Sequence, residues 1–394
     1  MPPQPILFIH HANDMYGADI GLLHSLNSLD KSKYYPIVIL PSDMPKGMLS
    51  LELSRLGFEY HFAHLGILRR KYLTIRSIVP LTIDILRGVA YVRSLARRRK
   101  AALVYINTIV AVSGAIGGRL SGAPVLWHIR EIVSMPRSVR WVLYKALSVC
   151  ADSVVCISHA VRDSLLREEP TLTKTSLVIY NAVSEPSRNG FVEQVGLREE
   201  LKVPQSAPLV GMVGRISHWK GQEVLVEAAS LMQEKHPDLH FVAVGSYFAD
   251  QTHYLQQLET KIKDLKLDMR FHLAPYRSNV TDVYRALDIF VLPSRNPEPF
   301  GRVTVEAMTQ GRAVIATNHG GTCELIQDGI TGILVPPSDP ESLADAIDLL
   351  LRDPELRERV GRAAAADAKR RFCLPRYEQQ MSRTIDGLID HITP

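Results

Sequence analysis

Cysteine is scarce in this chain of 394 residues: four are present, and no two are spaced as Cys-x-x-Cys. This usage argues against a disulfide framework or a zinc site and favours a reducing, cytoplasmic compartment. Runs of about 18 uncharged apolar residues, long enough to span a bilayer, are also missing. The first apolar run has no basic region ahead of it, so we interpret it as a strand rather than a signal peptide. No His, Asp or Glu grouping has metal-ligand spacing, and neither a metal nor a cofactor is expected.

Acidic residues are sparse in the first half of the chain. Residues 1–182 hold 22 Lys and Arg against 12 Asp and Glu, whereas the remaining residues hold 24 against 29. The hydrophobic content of 46% and charged content of 22% are those of an ordinary globular protein, and the length exceeds a single core. The basic first half therefore predicts an anionic partner for one of two domains.

The dinucleotide-binding motif Gly-x-Gly-x-x-Gly is absent, although strand-like and helix-like segments alternate through the chain in two series. This alternation predicts an α/β fold of two facing Rossmann-like domains with parallel sheets. We expect the first domain over residues 1–182, a linker and domain entry over 183–207, and the second domain over 208–375. Ligands of such folds gather at the carboxyl ends of strands, which makes Gly17, His128, Arg215 and Glu298 the first site candidates.

One segment of the first half, residues 69–100, is strongly basic and amphipathic. It holds ten Lys and Arg with one acid, Asp84, and predicts helices that break near Pro80. A basic helix of this kind is typical of a surface that rests on anionic lipid. A helix pair whose basic side only faces water is an equally open interpretation. Nucleic-acid binding is not expected, since no aromatic-interleaved motif accompanies the charge.

The stretch 288–311 carries two carboxylates at the junction of a loop and a helix. A short strand leads into a proline-rich loop that contains Glu298, and a helix that opens near Gly301 carries Glu306. Free N–H groups at a helix start suit an anion or a polyhydroxylated ligand. Paired carboxylates also serve glycoside hydrolysis, but Glu306 lies more than a turn into the helix and is poorly placed to converge with Glu298.

Two cations, Arg215 and Lys220, lie between a predicted strand and a predicted helix in VGRISHWKGQE. Together with a helix N-terminus they can clamp a pyrophosphate, although cations in a loop are often only solvated. A lone His such as His128 near a strand end is more often structural than catalytic. Glu306, in an apolar helix face, can either hold a ribose diol or pair with Arg302.

These motifs together resemble the family-4 retaining glycosyltransferases of the GT-B fold. The likeness rests on GRISHWKG, EPFGRVTVE, the glycine loop at Gly17, WHIRE and GGTCELIQDGITGILVPPSDPESLADAI, and it is strongest over residues 205–350. It implies two facing Rossmann-like domains and a last helix, within residues 376–394, that crosses back and completes the first domain.

The same resemblance implies that the second domain holds a nucleotide diphosphate sugar, either UDP- or GDP-linked. It makes His128 and Glu298 the catalytic residues, with His128 near the reacting centre and Glu298 at the donor sugar. The remaining implied contacts are Arg215, Lys220 and Gly17 at the donor diphosphate, Glu306 at the ribose, Phe300, Gly301, Arg302 and Val303 at the donor sugar, and Pro275 and Tyr276 at the base.

The activity implied by the resemblance is a metal-independent, retaining transfer of a hexose to a polysaccharide or a lipid-linked glycan. The basic first half favours a lipid-linked or phosphorylated acceptor, so a peripheral position at the inner face of a membrane is expected. A nucleotide-sugar epimerase on the same fold is the alternative interpretation. A non-catalytic sugar-binding scaffold is a third, and the retention of all five polar candidates argues against it.

Overall fold

The computed structural model describes residues 2–69, 75–183, 196–247, 252–277 and 279–392. The chain divides into two compact units, with unit 1 formed by residues 1–182 and 374–394 and unit 2 by residues 183–373. Residues 184–195, about half of the expected linker region, residues 70–74 near the start of the basic segment and the last two residues of the sequence lie outside the described residues. The end of the expected linker region belongs to unit 2, where it includes a short helix.

Unit 1 is built from strands that alternate with helices. Its strands are β1 (Gln4–Ile9), β2 (Tyr34–Pro41), β3 (Glu59–Ala63), β4 (Leu103–Ile106), β5 (Val125–Ile129), β6 (Ser153–Cys156) and β7 (Ser176–Val178). Its first helices are α1 (Gly17–Asn27), α2 (Met48–Arg55), α3 (Ile75–Arg99), α4 (Val112–Ser121), α5 (Arg137–Cys150) and α6 (His159–Leu166). The central strands are runs of buried apolar side chains, as expected for a parallel sheet that is covered by helices on both faces.

Unit 2 repeats the alternation. Its strands are β8 (Leu209–Val213), β9 (His240–Val244), β10 (Phe271–Ala274), β11 (Ile289–Leu292), β12 (Ala313–Thr317) and β13 (Ile333–Val335). Its helices are α7 (Leu197–Glu200), α8 (Gln222–Met232), α9 (Thr252–Asp264), α10 (Val280–Ala286), α11 (Arg302–Thr309), α12 (Thr322–Leu325), α13 (Pro340–Arg352) and α14 (Pro354–Arg371). Short 3-10 helices lie at Pro170–Thr173 in unit 1 and at His218–Lys220 in unit 2.

Both sheets are parallel and follow the same winding rule. The seven strands of unit 1 are ordered β3-β2-β1-β4-β5-β6-β7, and the six strands of unit 2 are ordered β10-β9-β8-β11-β12-β13. In each unit the first strand lies in the interior of the sheet, and the next two strands extend the sheet to one side of it. The chain then returns to the first strand and adds the remaining strands on its other side. The two switch points lie between β1 and β4 and between β8 and β11, and such crevices are where doubly wound folds bind ligands.

The last helix, α15 (Leu374–Ile392), belongs to unit 1 although it follows unit 2 in the chain. Its side chains Tyr377, Met381 and Ile385 are buried in the hydrophobic core of unit 1. The hydroxyl groups of Tyr377 and Ser25 of α1 lie 2.7 Å apart. Unit 1 is therefore completed by a segment that the chain supplies only at its end.

Two predicted helix limits were wrong, and both concern proline. Pro80 lies inside α3, which continues without a break to Arg99, because the inner face of α3 packs closely on α4 beyond this point. A Cβ added at Gly117 of α4 would lie 2.8 Å from the Val92 side chain. Pro375 lies in the first turn of α15 rather than before it, a position where its missing N–H would have no partner.

A buried carboxylate, Asp348 of α13, ties that helix to the residues that follow α8. Its oxygens lie 2.7 Å from Lys235 Nζ and 2.7 Å from His236 Nε2. Burial alone would raise the pKa of Asp348, but the hydrogen bonds from Lys235 and His236 outweigh burial and lower it below its ordinary value. Because the folded state lowers this pKa, the stabilisation is present at neutral pH and is lost as the pH falls through the folded value.

We expect the Asp348→Asn substitution to lower the free energy of unfolding by about 2 kcal/mol at pH 7, because charge-assisted hydrogen bonds are lost. The difference from the wild type at pH 7 should shrink as the pH falls below about 4, the ordinary pKa of Asp, and vanish below the lowered pKa of the folded state, where the carboxylate is protonated in both states. Urea unfolding at the two pH values measures both effects. Asp345→Asn, an exposed position on the same helix, is the matched control. An equal loss at both pH values would contradict an ionic origin.

Candidate functional site

The loops that follow β8 and β11 meet at the switch point of unit 2. Lys220 Nζ lies 2.7 Å from Glu298 Oε1, and the Ser294 hydroxyl donates a hydrogen bond of 2.5 Å to the same oxygen. Glu298 is only 5% exposed, so the ion pair is shielded from water. Topology therefore brings together two predicted site residues that lie 78 positions apart in the chain. Among the described residues, Glu298 Oε2 has no hydrogen-bond partner, so it is the oxygen left for a ligand.

These two loops also approach each other backbone to backbone. A Cβ added at Gly221 would lie 2.0 Å from the carbonyl oxygen of Pro293, and the φ angle of Gly221 is +72°. The Arg295 amide donates a hydrogen bond of 2.8 Å to the carbonyl of Trp219. Only glycine fits at position 221, and the contact fixes the loop that carries Lys220 beside the loop that carries Glu298.

A third loop, after β12, fixes the backbone of Glu298. The Gly321 amide donates a hydrogen bond of 2.7 Å to the Glu298 carbonyl, and a Cβ at Gly320 would lie 2.6 Å from that oxygen. His319 Nε2 lies 2.9 Å from the Ser294 carbonyl, which assigns the proton to Nε2. Burial lowers the pKa of His319, so the ring is neutral at pH 7. Sequence reasoning assigned no role to His319 or Ser294, although the glycine pair after β12 was a signal for this loop.

The start of α11 lies next to this cluster. Gly301 precedes the helix with a φ angle of +93°, and Arg302 is its first residue. The Phe300 side chain is 2% exposed and packs edge-on against Phe372, with ring centroids 5.6 Å apart. The ring is therefore part of the core. At position 300 only the backbone is left to meet a ligand, beside the N–H groups of the helix start.

Glu306 has partners on both carboxylate oxygens. Arg302 Nε donates to Oε1 at 2.7 Å, and the Tyr284 hydroxyl donates to Oε2 at 2.7 Å. Tyr284 is fully buried, and burial together with the charge of Glu306 raises its pKa well above the ordinary value. The pairing with Arg302, the alternative to a ribose contact, is thus present. Each carboxylate oxygen can accept a second hydrogen bond, so a ribose contact would have to share Glu306 with these donors.

Arg215 lies half-buried in the same loop as Lys220, at the carboxyl end of β8. The Gln222 side-chain amide donates a hydrogen bond of 2.9 Å to the Arg215 carbonyl. The neighbouring turn after β9 packs on the same loop, since a Cβ at Gly245 would lie 1.9 Å from the Gly214 oxygen. The two cations predicted at the diphosphate, Arg215 and Lys220, therefore lie on one connection that is held from two sides.

The predicted base contacts, Pro275 and Tyr276, follow β10 at the same edge of the sheet. Both residues are exposed, and 55% of the Tyr276 surface is accessible. The strand β9 lies between β10 and β8, so this loop is one strand removed from the loop of Arg215. Pro275 and Tyr276 therefore lie at the carboxyl edge of the unit 2 sheet, to the side of the cluster around Glu298.

His128 lies inside β5 rather than after it, and its predicted role near the reacting centre stays a prediction. The residue is fully buried and belongs to the interior of unit 1. Its Nδ1 atom contacts the Tyr105 hydroxyl and lies 3.3 Å from Arg130 Nη2. Burial and the neighbouring Arg130 charge hold the pKa of His128 well below its ordinary value. The ring is therefore neutral and enclosed within unit 1, and among the described residues its Nε2 atom has no hydrogen-bond partner.

The side chains that do reach the switch point of unit 1 form a buried polar network. His10 Nε2 lies 2.9 Å from Asp19 Oδ1, and the Asn107 amide donates to His10 Nδ1 at 3.0 Å. Arg130 Nε donates a hydrogen bond of 2.8 Å to Asn107 Oδ1. Since His10 Nδ1 accepts, its proton is on Nε2 and is donated to Asp19. The sequence signal for this network was polar residues directly after strands, where Arg130 follows β5.

Gly17 is the first residue of α1, directly after the loop that connects β1 to this helix. A Cβ added at this position meets no described atom within 4 Å. Unit 1 itself therefore does not require glycine here. The space that a ligand would need in front of Gly17 is open within the described part of the unit.

Residues 196–367 match the family model described as "Glycosyl transferases group 1". The match lies within unit 2, which spans residues 183–373, and includes every residue of the Lys220 and Glu298 cluster. Most of unit 2 is therefore similar to the glycosyl transferases of group 1. The group 1 match thus contains both loops of the switch point, the loop after β12 and the start of α11.

Named glycosyltransferases are among the relatives of the chain. The D-inositol 3-phosphate glycosyltransferase of Corynebacterium kroppenstedtii is 37% identical over 177 residues, which are 44% of this chain and 39% of that protein. The alpha-D-kanosaminyltransferase of Streptomyces kanamyceticus is 34% identical over 236 residues, which are 59% of each chain. The chain therefore spans only 39% and 59% of the length of these two curated relatives.

A solved structure extends the similarity to both units. Anabaena Alr3699/HepE, crystallised with UDP and glucose, superposes with a TM-score of 0.81 at 25% identity, over 98% of this chain and 100% of that chain. With the group 1 match, this similarity confirms the predicted GT-B fold and the relation to glycosyltransferases.

The burial of His128 leads to a stability prediction. We expect His128→Ala to lower the free energy of unfolding by about 2–3 kcal/mol, because it leaves a void and removes a partner of Tyr105. The melting temperature should fall by about 5–10 °C. Calorimetry of the variant measures this, with His64→Ala, an exposed histidine in the loop after β3, as the control. A variant with wild-type melting temperature would show that the ring is not a packing residue.

Proposed function

We propose that this chain is a glycosyltransferase whose group 1 domain holds a nucleotide diphosphate sugar at its switch point. The observation that carries the proposal is the buried Lys220–Glu298 pair beside the start of α11. It supplies a cation, a carboxylate oxygen without a partner and helix N–H groups at one place, as a phosphorylated sugar requires. The UDP and glucose in the related Anabaena structure favour a UDP-linked hexose over a GDP-linked one.

The proposed roles follow from the chemistry of each group. Lys220 and Arg215 bind the diphosphate and stabilise its negative charge as it leaves, and such electrostatic stabilisation usually contributes most to the rate of a transfer reaction. Glu298 Oε2 accepts a hydrogen bond from a sugar hydroxyl, and the backbone N–H groups at the start of α11 bind the sugar from the other side. The Glu306 carboxylate accepts hydrogen bonds from both Arg302 and the ribose hydroxyls.

We further propose that the transfer retains the anomeric configuration and needs no metal. Both carboxylates of the site are engaged by cations, Glu298 by Lys220 and Glu306 by Arg302, which makes them weak nucleophiles. This favours attack by the acceptor hydroxyl on the face from which the diphosphate leaves. The acceptor oxygen bonds to the anomeric carbon, the bond to the diphosphate oxygen breaks, and the hydroxyl proton passes to that oxygen.

The proposed acceptor is a polysaccharide or a lipid-linked glycan that is bound by unit 1. Support comes from the surplus of 22 Lys and Arg over 12 Asp and Glu in residues 1–182, which suits a phosphorylated or lipid-bound acceptor. In the described part of the chain, no helix has both the length and the apolar character needed to cross a bilayer. Access to a lipid-linked acceptor would therefore be through peripheral contact.

Three single substitutions separate the proposed roles in the donor site. Lys220→Met should weaken both UDP and UDP-hexose, because it removes a diphosphate contact. Glu298→Gln should weaken the UDP-hexose but not UDP, because its partner is the sugar and Lys220 remains charged. Glu306→Gln should weaken both. Each loss should be about 10- to 100-fold in dissociation constant, the range for charged hydrogen bonds, and calorimetric titration measures it.

The matched control is Lys263→Met, on the exposed side of α9. Because Lys220→Met leaves a buried carboxylate, the double variant Lys220→Met with Glu298→Gln should recover stability but not donor affinity. If Glu298→Gln lost the same affinity for UDP as for the UDP-hexose, Glu298 would not be a contact of the sugar. Wild-type affinities in all three single variants would refute the donor site.

A nucleotide screen tests the proposed base. UDP at 100 times its dissociation constant should stabilise the fold by about 2.7 kcal/mol, which a thermal shift detects readily. GDP and ADP at the same concentration should give smaller shifts. The largest shift with GDP would overturn the choice of UDP while leaving the site itself intact. Incubation with the donor alone and analysis for isomerised sugar separates transfer from epimerisation.

The anomeric outcome is a separate prediction. An α-linked UDP-hexose should give an α-linked product, because attack and departure occur on one face. Proton NMR of the product reads the configuration from the coupling at the anomeric position. A β-linked product would contradict retention and would require a base on the opposite face of the sugar.

A further inference from the structure

Exposed apolar side chains are concentrated on three adjacent helices of unit 1. Helix α4 packs between α3 and α5. Of the eighteen large hydrophobic side chains that are exposed in the described residues, eight lie on these three helices: Ile78, Val79, Ile83, Leu86, Leu120, Trp141, Val142 and Val149. Soluble proteins seldom leave such groups clustered, and a cluster rimmed by polar residues marks an interaction surface.

Helix α3 is apolar on its outer side as well as on its inner side. Its inner side is buried through Val92, Leu95 and Ala96, which pack toward α4 and the sheet. Its outer side carries Val79 and Leu86, which are 65% and 63% exposed and lie two turns apart. A helix covered only by water would not repeat apolar residues on this side, so the pattern indicates a second apolar environment.

Helix α5 repeats the pattern on the other side of α4. Trp141 is 62% exposed and Val149 is 69% exposed, two turns further along the same side. Helix α4 is sunk between its neighbours, and only Arg119 and Leu120 of its ten residues are exposed. Exposed tryptophan on a helix is typical of the interface between lipid headgroups and acyl chains.

The charge around these side chains is positive. Helix α3 carries six arginines and one acid, Asp84, which lies 3.4 Å from Arg87. On α5, Arg140 and Lys145 pair with acids beyond the helix, so that helix adds Arg137 as its unneutralised exposed cation. The positive surplus therefore comes from α3. Arg76 and Arg87 lie in the half that carries its exposed apolar side chains. Arg97 and Arg98 lie in its last turn, where Arg97 donates a hydrogen bond to the carbonyl of the exposed Leu120 and Arg99 pairs with Glu59. An anionic surface complements this charge.

We infer that the exposed sides of α3, α4 and α5 form one membrane-docking surface that seats unit 1 on an anionic phospholipid bilayer. Ile83, Leu86 and Trp141 enter the headgroup region, while Arg76 and Arg87 in the first half of α3 bind lipid phosphates. In a parallel α/β unit the crossover helices start at the carboxyl edge of the sheet. Most of these apolar side chains lie in the first halves of α3 and α5, so the docked edge is the one that bears the unit 1 switch point.

This inference rests on the proposed function, because it names the surface from which a lipid-linked acceptor would be taken. Trp141 offers a direct test as a natural probe, since Trp127 is fully buried and Trp219 lies in unit 2. Vesicles of phosphatidylcholine that contain phosphatidylglycerol should shift the tryptophan emission to the blue at low salt. Brominated acyl chains in these vesicles should quench the signal, and Trp141→Phe should lose most of the quenching.

Sedimentation with the same vesicles measures the affinity of the full chain. Trp141→Ala and the double variant Ile83→Ser with Leu86→Ser should each bind at least fivefold more weakly than the wild type. Met269→Ser, which replaces an apolar side chain 83% exposed in unit 2, should bind as the wild type does. High salt should weaken binding, and phosphatidylcholine alone should bind poorly, because charge attraction is screened or absent.

Three outcomes would overturn the inference: no binding to anionic vesicles, wild-type binding by both apolar variants, or binding without quenching of Trp141. The alternative partner of this surface is a second copy of the chain, and sedimentation equilibrium without lipid tests it. A dimer that the same substitutions dissociate would show that the surface is a contact between two copies. UDP thermal shifts on the variants keep the two proposals apart. Loss of vesicle binding in the variants with intact UDP binding supports the docking surface, whereas a wild type that binds UDP but not anionic vesicles would remove the docking surface and leave the donor site standing.

Discussion

The ion pair between Lys220 and Glu298 is the contact on which the proposed donor site depends. It joins the loops after β8 and β11 at the one place in the unit 2 sheet where the winding direction changes. Neither loop could hold its charged residue alone, because a buried carboxylate without a cation is costly. The glycines at 221 and 320 allow three loops to close around the pair, and the free oxygen of Glu298 then has a fixed direction.

Unit 1 uses the same winding but fills its switch point differently. There, His10, Asp19, Asn107 and Arg130 are linked by hydrogen bonds into one buried network. Unit 2 has, at the corresponding place, a helix start and the Glu298 Oε2 atom, which has no hydrogen-bond partner among the described residues. This difference fits a division of labour in which unit 2 binds the charged nucleotide, while unit 1 meets its larger partner through surface helices.

The sequence predicted the two parallel sheets and most strand limits, because buried strands are short apolar runs that end at glycine or polar residues. It could not place His128, since strands covered on both faces lack the alternation that reveals where a side chain points. The partners of Glu306 show a second limit. Arg302 lies one turn away and could be anticipated, whereas Tyr284 comes from α10, and only the folded chain brings its hydroxyl to the carboxylate.

The return of α15 to unit 1 sets an order of events during synthesis. Unit 2 is continuous in the chain, so all of its strands have left the ribosome before α15 is made. The core positions of Tyr377, Met381 and Ile385 in unit 1 are unfilled until α15 has been made. Unit 1, which is translated before unit 2, can therefore be completed only after unit 2, and we expect its unfilled apolar groove to be exposed in the interval.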